Sequence, residues 1–272
     1  MEDLLIKTEE IGKYRIKVYY DTDAQCPCVD WDLCALHLFG YSCSHRLYRS
    51  CNVNEFEKEY GSCATIEDAV CKLIRYHIGW MDLFKYLRLG KISGCSILYD
   101  RSHREWCVKF EPSRYCDIRF TTDEVKNSDI PDDLLDSFTM DESVQILNDL
   151  CPNLYAATWS STGYSQGDYV EGIAFCTRER YDELCGRTDI PWREAAQLCI
   201  DSEVADIGMW LWGDVKRFTL EQKVHFTKVY DKELNREPVC TFEYEEIDSC
   251  CGYFMDTDEV ISEVINEHNL AA

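Results

Sequence analysis

Seventeen cysteines in 272 residues leave a chain two ways to hold itself together. In an exported protein such a count implies a disulfide framework, with loops stapled by bridges. Here the number is odd, the chain is long, and "MEDLLIKTEE" has neither the basic start nor the apolar run of a leader peptide. The expectation is therefore reduced thiols in a cytoplasm and a fold carried by a hydrophobic core. With 46% hydrophobic and 13% aromatic residues, there is enough apolar material for one large core or two small ones. Most cysteines fall inside apolar patterns, as Cys71 does in "AVCKLI" and Cys176 in "GIAFCT", where a thiol serves as a small hydrophobe. The most apolar stretch, "WMDLFKYLRLG", is interrupted by Asp82, Lys85 and Arg88, so no membrane span is expected.

Charge narrows the function classes. The chain carries 28 basic and 51 acidic residues, a net of −23. Residues 1–120 hold 17 basic and 18 acidic residues, whereas residues 121–272 hold 11 and 33, so nearly all of the excess falls in the second part. Direct nucleic-acid binding is disfavoured, because phosphate contacts need clustered Lys and Arg. A basic protein partner is favoured instead. The break also suggests a division into a near-neutral α+β domain over 1–120, an acidic helical connector over 121–150 and an acidic α+β domain over 151–272. Within the connector nine acids face one base, Lys126.

Periodicity predicts an α+β fold of antiparallel sheets with packed helices, in two subdomains joined by that acidic segment. "YRIKVYY" (14–20) alternates like a half-buried strand. "TIEDAVCKLIRYHI" (65–78) opens with a Thr-x-x-Asp cap and continues at helical spacing, and "WMDLFKYLRLG" is a helix that stops at Gly90. "GCSILYD" and "EWCVKFE" form a hairpin across "RSHR", while "DIPDDLLDSF" and "TMDESVQILNDL" are short acidic helices. Strands "LYAATWS" and "YVEGIAFCT", helix "PWREAAQLCIDSEV", strands "DVKRFTLE" and "VCTFEYEEI" and the amphipathic helix "DTDEVISEVINEH" complete the chain.

The stretch 14–48 looks reactive. Cys26 and Cys28 form C-x-C, Cys34 and His37 form C-x-x-H, and Cys43 and His45 form C-x-H. Zinc sites usually space paired ligands two to four residues apart on turns, and C-x-C directs its side chains unfavourably, so no metal and no cofactor is expected. Asp21 and Asp23 could hold magnesium through hard oxygen ligands, but no phosphate loop, G-x-G-x-x-G or H-E-x-x-H pattern accompanies them. Asp23 reads better as a turn residue that bonds its own backbone.

At Tyr20, Asp21, Asp23, Ala24 and Pro27, at Trp31 and Asp32, and at His45, Arg46 and Tyr48, the sequence resembles a family of uncharacterised acidic accessory proteins carried by phages and conjugative elements. Later blocks are similar to the same family, with Leu211, Gly213 and Val215, then Asp248, Ser249, Cys250, Gly252 and Tyr253. Two places depart from it: Cys26 and Cys28 replace other residues, and "STGYSQGD" (161–168) lacks the family's tryptophan-Asp-Ser-Gly turn. The resemblance assigns no catalytic residue. What it implies is a mobile-element setting, in the cytoplasm of a bacterial host, where accessory proteins disarm host defences.

The functional expectation is an anti-defence protein that binds and inhibits a basic nucleic-acid-binding immunity protein, a CRISPR effector or a restriction enzyme. Its carboxylates would compete with phosphate, and aromatic side chains would anchor the contact. The candidate contact residues are Asp132, Asp133 and Asp136, then Trp210, Trp212 and Asp214, then Tyr253, Phe254, Asp256 and Asp258. Two alternatives stand beside it. One is a metal-dependent hydrolase or nucleotide-modifying enzyme centred on Asp21, Asp23 and His45, and the other is a protein that sequesters a nucleotide signal.

Overall fold

A computed structural model of the chain describes residues 4–41, 47, 51–110, 118–162, 169–186, 189–229 and 239–270. From the N-terminus come β1 (Leu5–Ile11), β2 (Tyr14–Tyr20), the short α1 (Pro27–Asp30), β3 (Leu36–Tyr41) and α2 (Val53–Tyr60). Next are α3 (Ile66–His77), α4 (Trp80–Arg88), β4 (Cys95–Asp100), β5 (Glu105–Phe110), β6 (Ile118–Phe120), α5 (Thr122–Asn127), α6 (Asp132–Leu135) and α7 (Met140–Leu150). The remainder is β7 (Leu154–Thr162), β8 (Tyr169–Thr177), α8 (Arg178–Leu184), α9 (Trp192–Leu211), β9 (Lys216–Val229), β10 (Val239–Tyr253) and α10 (Thr257–Glu267). The fold is α+β, and the three sheets found among the described residues are antiparallel, as the sequence pattern predicts. No helix among the described residues is long and apolar enough to cross a membrane.

The division of the chain differs from the expected one. Met1–Cys26 and Asp206–Ala272 form one compact unit, and Pro27–Ala205 forms the other. The expected boundaries at 120 and 150, which divide the chain into 1–120, 121–150 and 151–272, both fall inside the second unit. Charge was a misleading marker because the acids of 121–150 occupy helix starts and exposed faces. Thr121 with Glu124 and Thr139 with Glu142 close reciprocal capping boxes on α5 and α7, and Asp132 and Asp133 stand in the first turn of α6. Beneath them Leu134, Leu135, Phe138, Ile146 and Leu147 are buried. The excess charge is shared: the first unit holds 21 acidic and 10 basic residues, the second 30 and 18.

The first unit is the sheet β1-β2-β9-β10 with α10 on one face. Cross-strand pairs Ile16–Leu220 and Val18–Phe218 point to that face, where Val260, Ile261, Val264 and Leu270 cover them. Each fully buried aliphatic side chain contributes about 1.5–3 kcal/mol of transfer free energy. The alternate residues form the other face, where Arg15 and Lys17 (2.8 Å) meet the carboxylate of Glu221.

In the second unit, β8 is the middle strand of β3-β8-β7 and is covered on both sides. Phe175 packs edge-on against Phe56 of α2, while Ala174 and Cys176 join Tyr181 of α8 and Ala195, Ala196 and Ile200 of α9. Double burial explains the continuous apolar run of "GIAFC". Gly172 leaves room there for the Trp159 ring on β7, which a Cβ at this position would displace. The smaller sheet β4-β5-β6 packs aromatically, Trp80 on Phe120 at 4.9 Å and Phe84 on Trp106 at 5.1 Å.

Candidate binding surfaces and a thiol cluster

The sequence-predicted contact residues separate into surface and scaffold. Asp132, Asp133 and Asp136 are exposed at α6, with Asp132 paired to Arg75 of α3. Trp210 is not an exposed anchor: it is half-buried at the end of α9, and its indole N–H donates to the Ala24 carbonyl at 3.0 Å. Trp212 is half-buried as well, and Asp214 pairs with the buried Lys216 at 3.0 Å. Tyr253 packs on the sheet core with its ring 5.6 Å from Phe218, and Phe254 is half-buried. Asp256 is the N-cap of α10 and exchanges capping bonds with Glu259. Asp258 is exposed and bound to Lys7 at 2.8 Å.

Exposed carboxylates nonetheless line α10. Val260, Ile261 and Val264 take its buried side, which leaves Glu259, Glu263 and Glu267 in solvent at four-residue intervals. Successive members rise about 6 Å along the axis. Among the described residues neither Glu263 nor Glu267 has a basic partner.

The carboxylate pair of the first turn is structural. Asp21 is buried; its Oδ1 accepts from the Asp23 N–H at 3.2 Å and its Oδ2 from the Gly252 N–H at 2.9 Å. Asp21, rather than Asp23, is thus the residue that bonds its own turn, while Asp23 is exposed. Gly252 serves this contact with a φ of 78°, which suits glycine. Cys43 and His45 lie outside the described residues, so the enzyme centre expected at Asp21, Asp23 and His45 is represented by its two acids only.

His37 is fully buried on β3, and its Nε2 lies 2.7 Å from Glu203 Oε2 on α9. The same carboxylate accepts from the backbone N–H of Cys34 (2.5 Å) and of Ala35 (3.1 Å). Asn52 completes the frame by accepting from the His37 N–H at 2.9 Å and donating to the Cys28 carbonyl at 3.0 Å. Among the described residues His37 Nδ1 has no hydrogen-bond partner.

Against this frame sits a group that no sequence motif announces. The sulfurs of Cys34, Cys185 and Cys199 lie within 4.8 Å of one another. Cys185 and Cys199 are 3.7 Å apart, and Cys176 approaches Cys34 at 3.4 Å. The hydrogen bond with Cys176 and then burial push the Cys34 thiol up, and burial above all pushes Cys199 up to about 12. Cys185 is raised by burial too. Cys185 is exposed and Cys199 half-buried, so the group reaches the surface.

Two further arrangements resemble sites. Ser102, His103 and Asp100 cluster in the β4–β5 turn, but Ser102 Oγ (3.0 Å) and Asp100 Oδ2 (2.7 Å) approach the same ring nitrogen, Nδ1. A hydrolytic triad needs both nitrogens, so this is turn chemistry. A cleft of about 810 Å³ is lined by Glu55, Tyr60, His77, Arg178 and Arg180 among others. Its cations are engaged, Arg180 by Glu55 at 2.5 Å and Arg178 by Asp182 at 2.9 Å, which leaves little for an anionic ligand. Comparison with known proteins adds no relative: no family model, no curated protein and no solved structure matches the chain.

Proposed function

We propose that the protein is an inhibitory binding protein of a mobile element, directed at a host defence protein with a basic nucleic-acid channel, such as a CRISPR effector or a restriction enzyme. The observation that carries this reading is the row Glu259, Glu263 and Glu267, exposed on a helix that Val260, Ile261 and Val264 fix to the core. A rigid line of carboxylates can occupy Lys- and Arg-lined grooves that normally hold phosphates. The unit that bears it carries twice as many acids as bases. The similarity of residues 20–48 and of the later blocks to accessory proteins of phages and conjugative elements supplies the setting. Contact then rests on α10, with Trp210 and Tyr253 of the same unit serving as scaffold.

The test is capture from a lysate of a bacterial host, followed by competition between the captured protein's DNA and this protein. A basic nuclease or CRISPR subunit that loses DNA binding as protein is added supports the proposal. Absence of any protein partner, or a captured protein whose DNA binding is untouched, overturns it.

A further inference from the structure

We propose that Cys34, Cys185 and Cys199 form a three-thiolate zinc site in the second unit, a property independent of the acidic surface. Three sulfurs within 4.8 Å of one another are the soft donors that zinc takes. With Zn–S bonds of 2.3 Å, a tetrahedral site spaces its sulfurs about 3.8 Å apart. The Cys185–Cys199 separation of 3.7 Å meets that spacing, and even the upper bound of 4.8 Å needs only about 1 Å of closure. The donors come from a loop before β3, the end of α8 and the middle of α9. An ion held there would tie three elements together.

The surroundings suit a metal better than plain thiol packing. A cysteine acting only as a small hydrophobe belongs in the interior, whereas Cys185 is exposed and Cys199 half-buried, which gives an ion a way in. Cys34 is pre-positioned, because Glu203 accepts its backbone N–H at 2.5 Å while its sulfur lies 3.4 Å from Cys176. Once Cys34 is a thiolate, the Cys176 S–H donates to it, an outer-sphere bond of the kind that tunes metal ligands. Binding displaces one proton from each thiol that coordinates, so three Zn–S bonds form as three S–H bonds break and three protons pass to the buffer. The fourth position is left for water.

The experiment uses the full chain, purified under reducing conditions, stripped with chelator and titrated with Zn²⁺ or, as a spectroscopic probe, Co²⁺. One equivalent should bind, with thiolate-to-cobalt charge-transfer absorption. Cys185→Ser and Cys199→Ser should each lower the affinity at least 100-fold, while Cys250→Ser and Cys251→Ser leave it unchanged. Both variants of the cluster lie near the surface, and far-UV circular dichroism checks that they fold. No binding by the reduced protein, binding that survives both cluster variants, or a Cys185–Cys199 disulfide in freshly isolated protein would overturn the site.

Discussion

Glu203 on α9 lies 2.7 Å from His37 on β3 and at the same time accepts the backbone N–H groups of Cys34 and Ala35. One carboxylate therefore fastens a helix to a sheet edge through three donors. Glu203→Ala leaves all three without their acceptor and is expected to destabilise the second unit by about 1–3 kcal/mol for each donor that stays unsatisfied. Glu203→Gln keeps an acceptor oxygen and should cost less, about 1–2 kcal/mol. Urea titration with the unfolding midpoint as readout separates the two, and equal midpoints would show that the carboxylate charge is immaterial.

The contact between Gly172 and Trp159 predicts a packing effect. Gly172→Ala places a methyl group 2.4 Å from the ring, so Trp159 must leave its position beside Phe39. A loss of about 1–3 kcal/mol is expected, with a changed near-UV tryptophan signal. An unaltered spectrum and midpoint would mean that the ring has room to move.

Acid stability of the first unit should depend on Glu221. Burial raises its pKa, but hydrogen bonds from Lys17 and Arg15 outweigh that and leave it below the ordinary value of 4.5. A lowered folded-state pKa contributes stability that is present above the unfolded value and is lost as pH falls through the folded one. Glu221→Gln should therefore lower the melting temperature near pH 7, and the gap from the parent should shrink as the pH drops below about 4. A gap that does not narrow would remove the ion pairs from the account.

Charge reversal on α10 tests the surface without touching the core. Glu263→Lys with Glu267→Lys should slow association with the captured host protein several-fold at low salt, because steering acts on the encounter rate. Raising salt through the physiological range, where screening shortens the reach of exposed charges to about 8 Å, should erase the difference. Glu55→Lys with Glu57→Lys, on α2 of the other unit, should change association less. Salt-independent binding would detach the contact from charge.

Local patterns were legible wherever a short stretch decides its own structure. Alternation located Tyr14–Tyr20, and the Thr65 cap, whose side chain accepts from Asp68 N–H at 3.2 Å, located α3. The acidic helix at the end of the chain was equally plain, since Val260, Ile261 and Val264 keep helical spacing. β3 was not recognised: its sequence "LHLFGY" lies in the part that looks reactive, and His37 is held by Glu203 from 166 positions away. The thiol group escaped for the same reason, because residues 34, 185 and 199 meet only after β3 has paired with β8. Charge misled over the domain boundary, since it records which helix faces are wet and not which apolar faces meet.

The first unit is assembled from two distant parts of the chain, and this dictates the order in which it can be made. Arg15 and Glu221 face each other across β2 and β9 but stand 206 positions apart. During synthesis the β1–β2 hairpin emerges early and has no sheet to join, whereas every residue of Pro27–Ala205 is present before β9 begins. Isolated hairpins are marginal in water, so that hairpin gains its stability only once β9 has been made and paired with β2. Non-local strand pairing of this kind is slow, and domains generally fold as units in order of synthesis. The inserted unit therefore folds on the ribosome before the sheet that carries α10 can close.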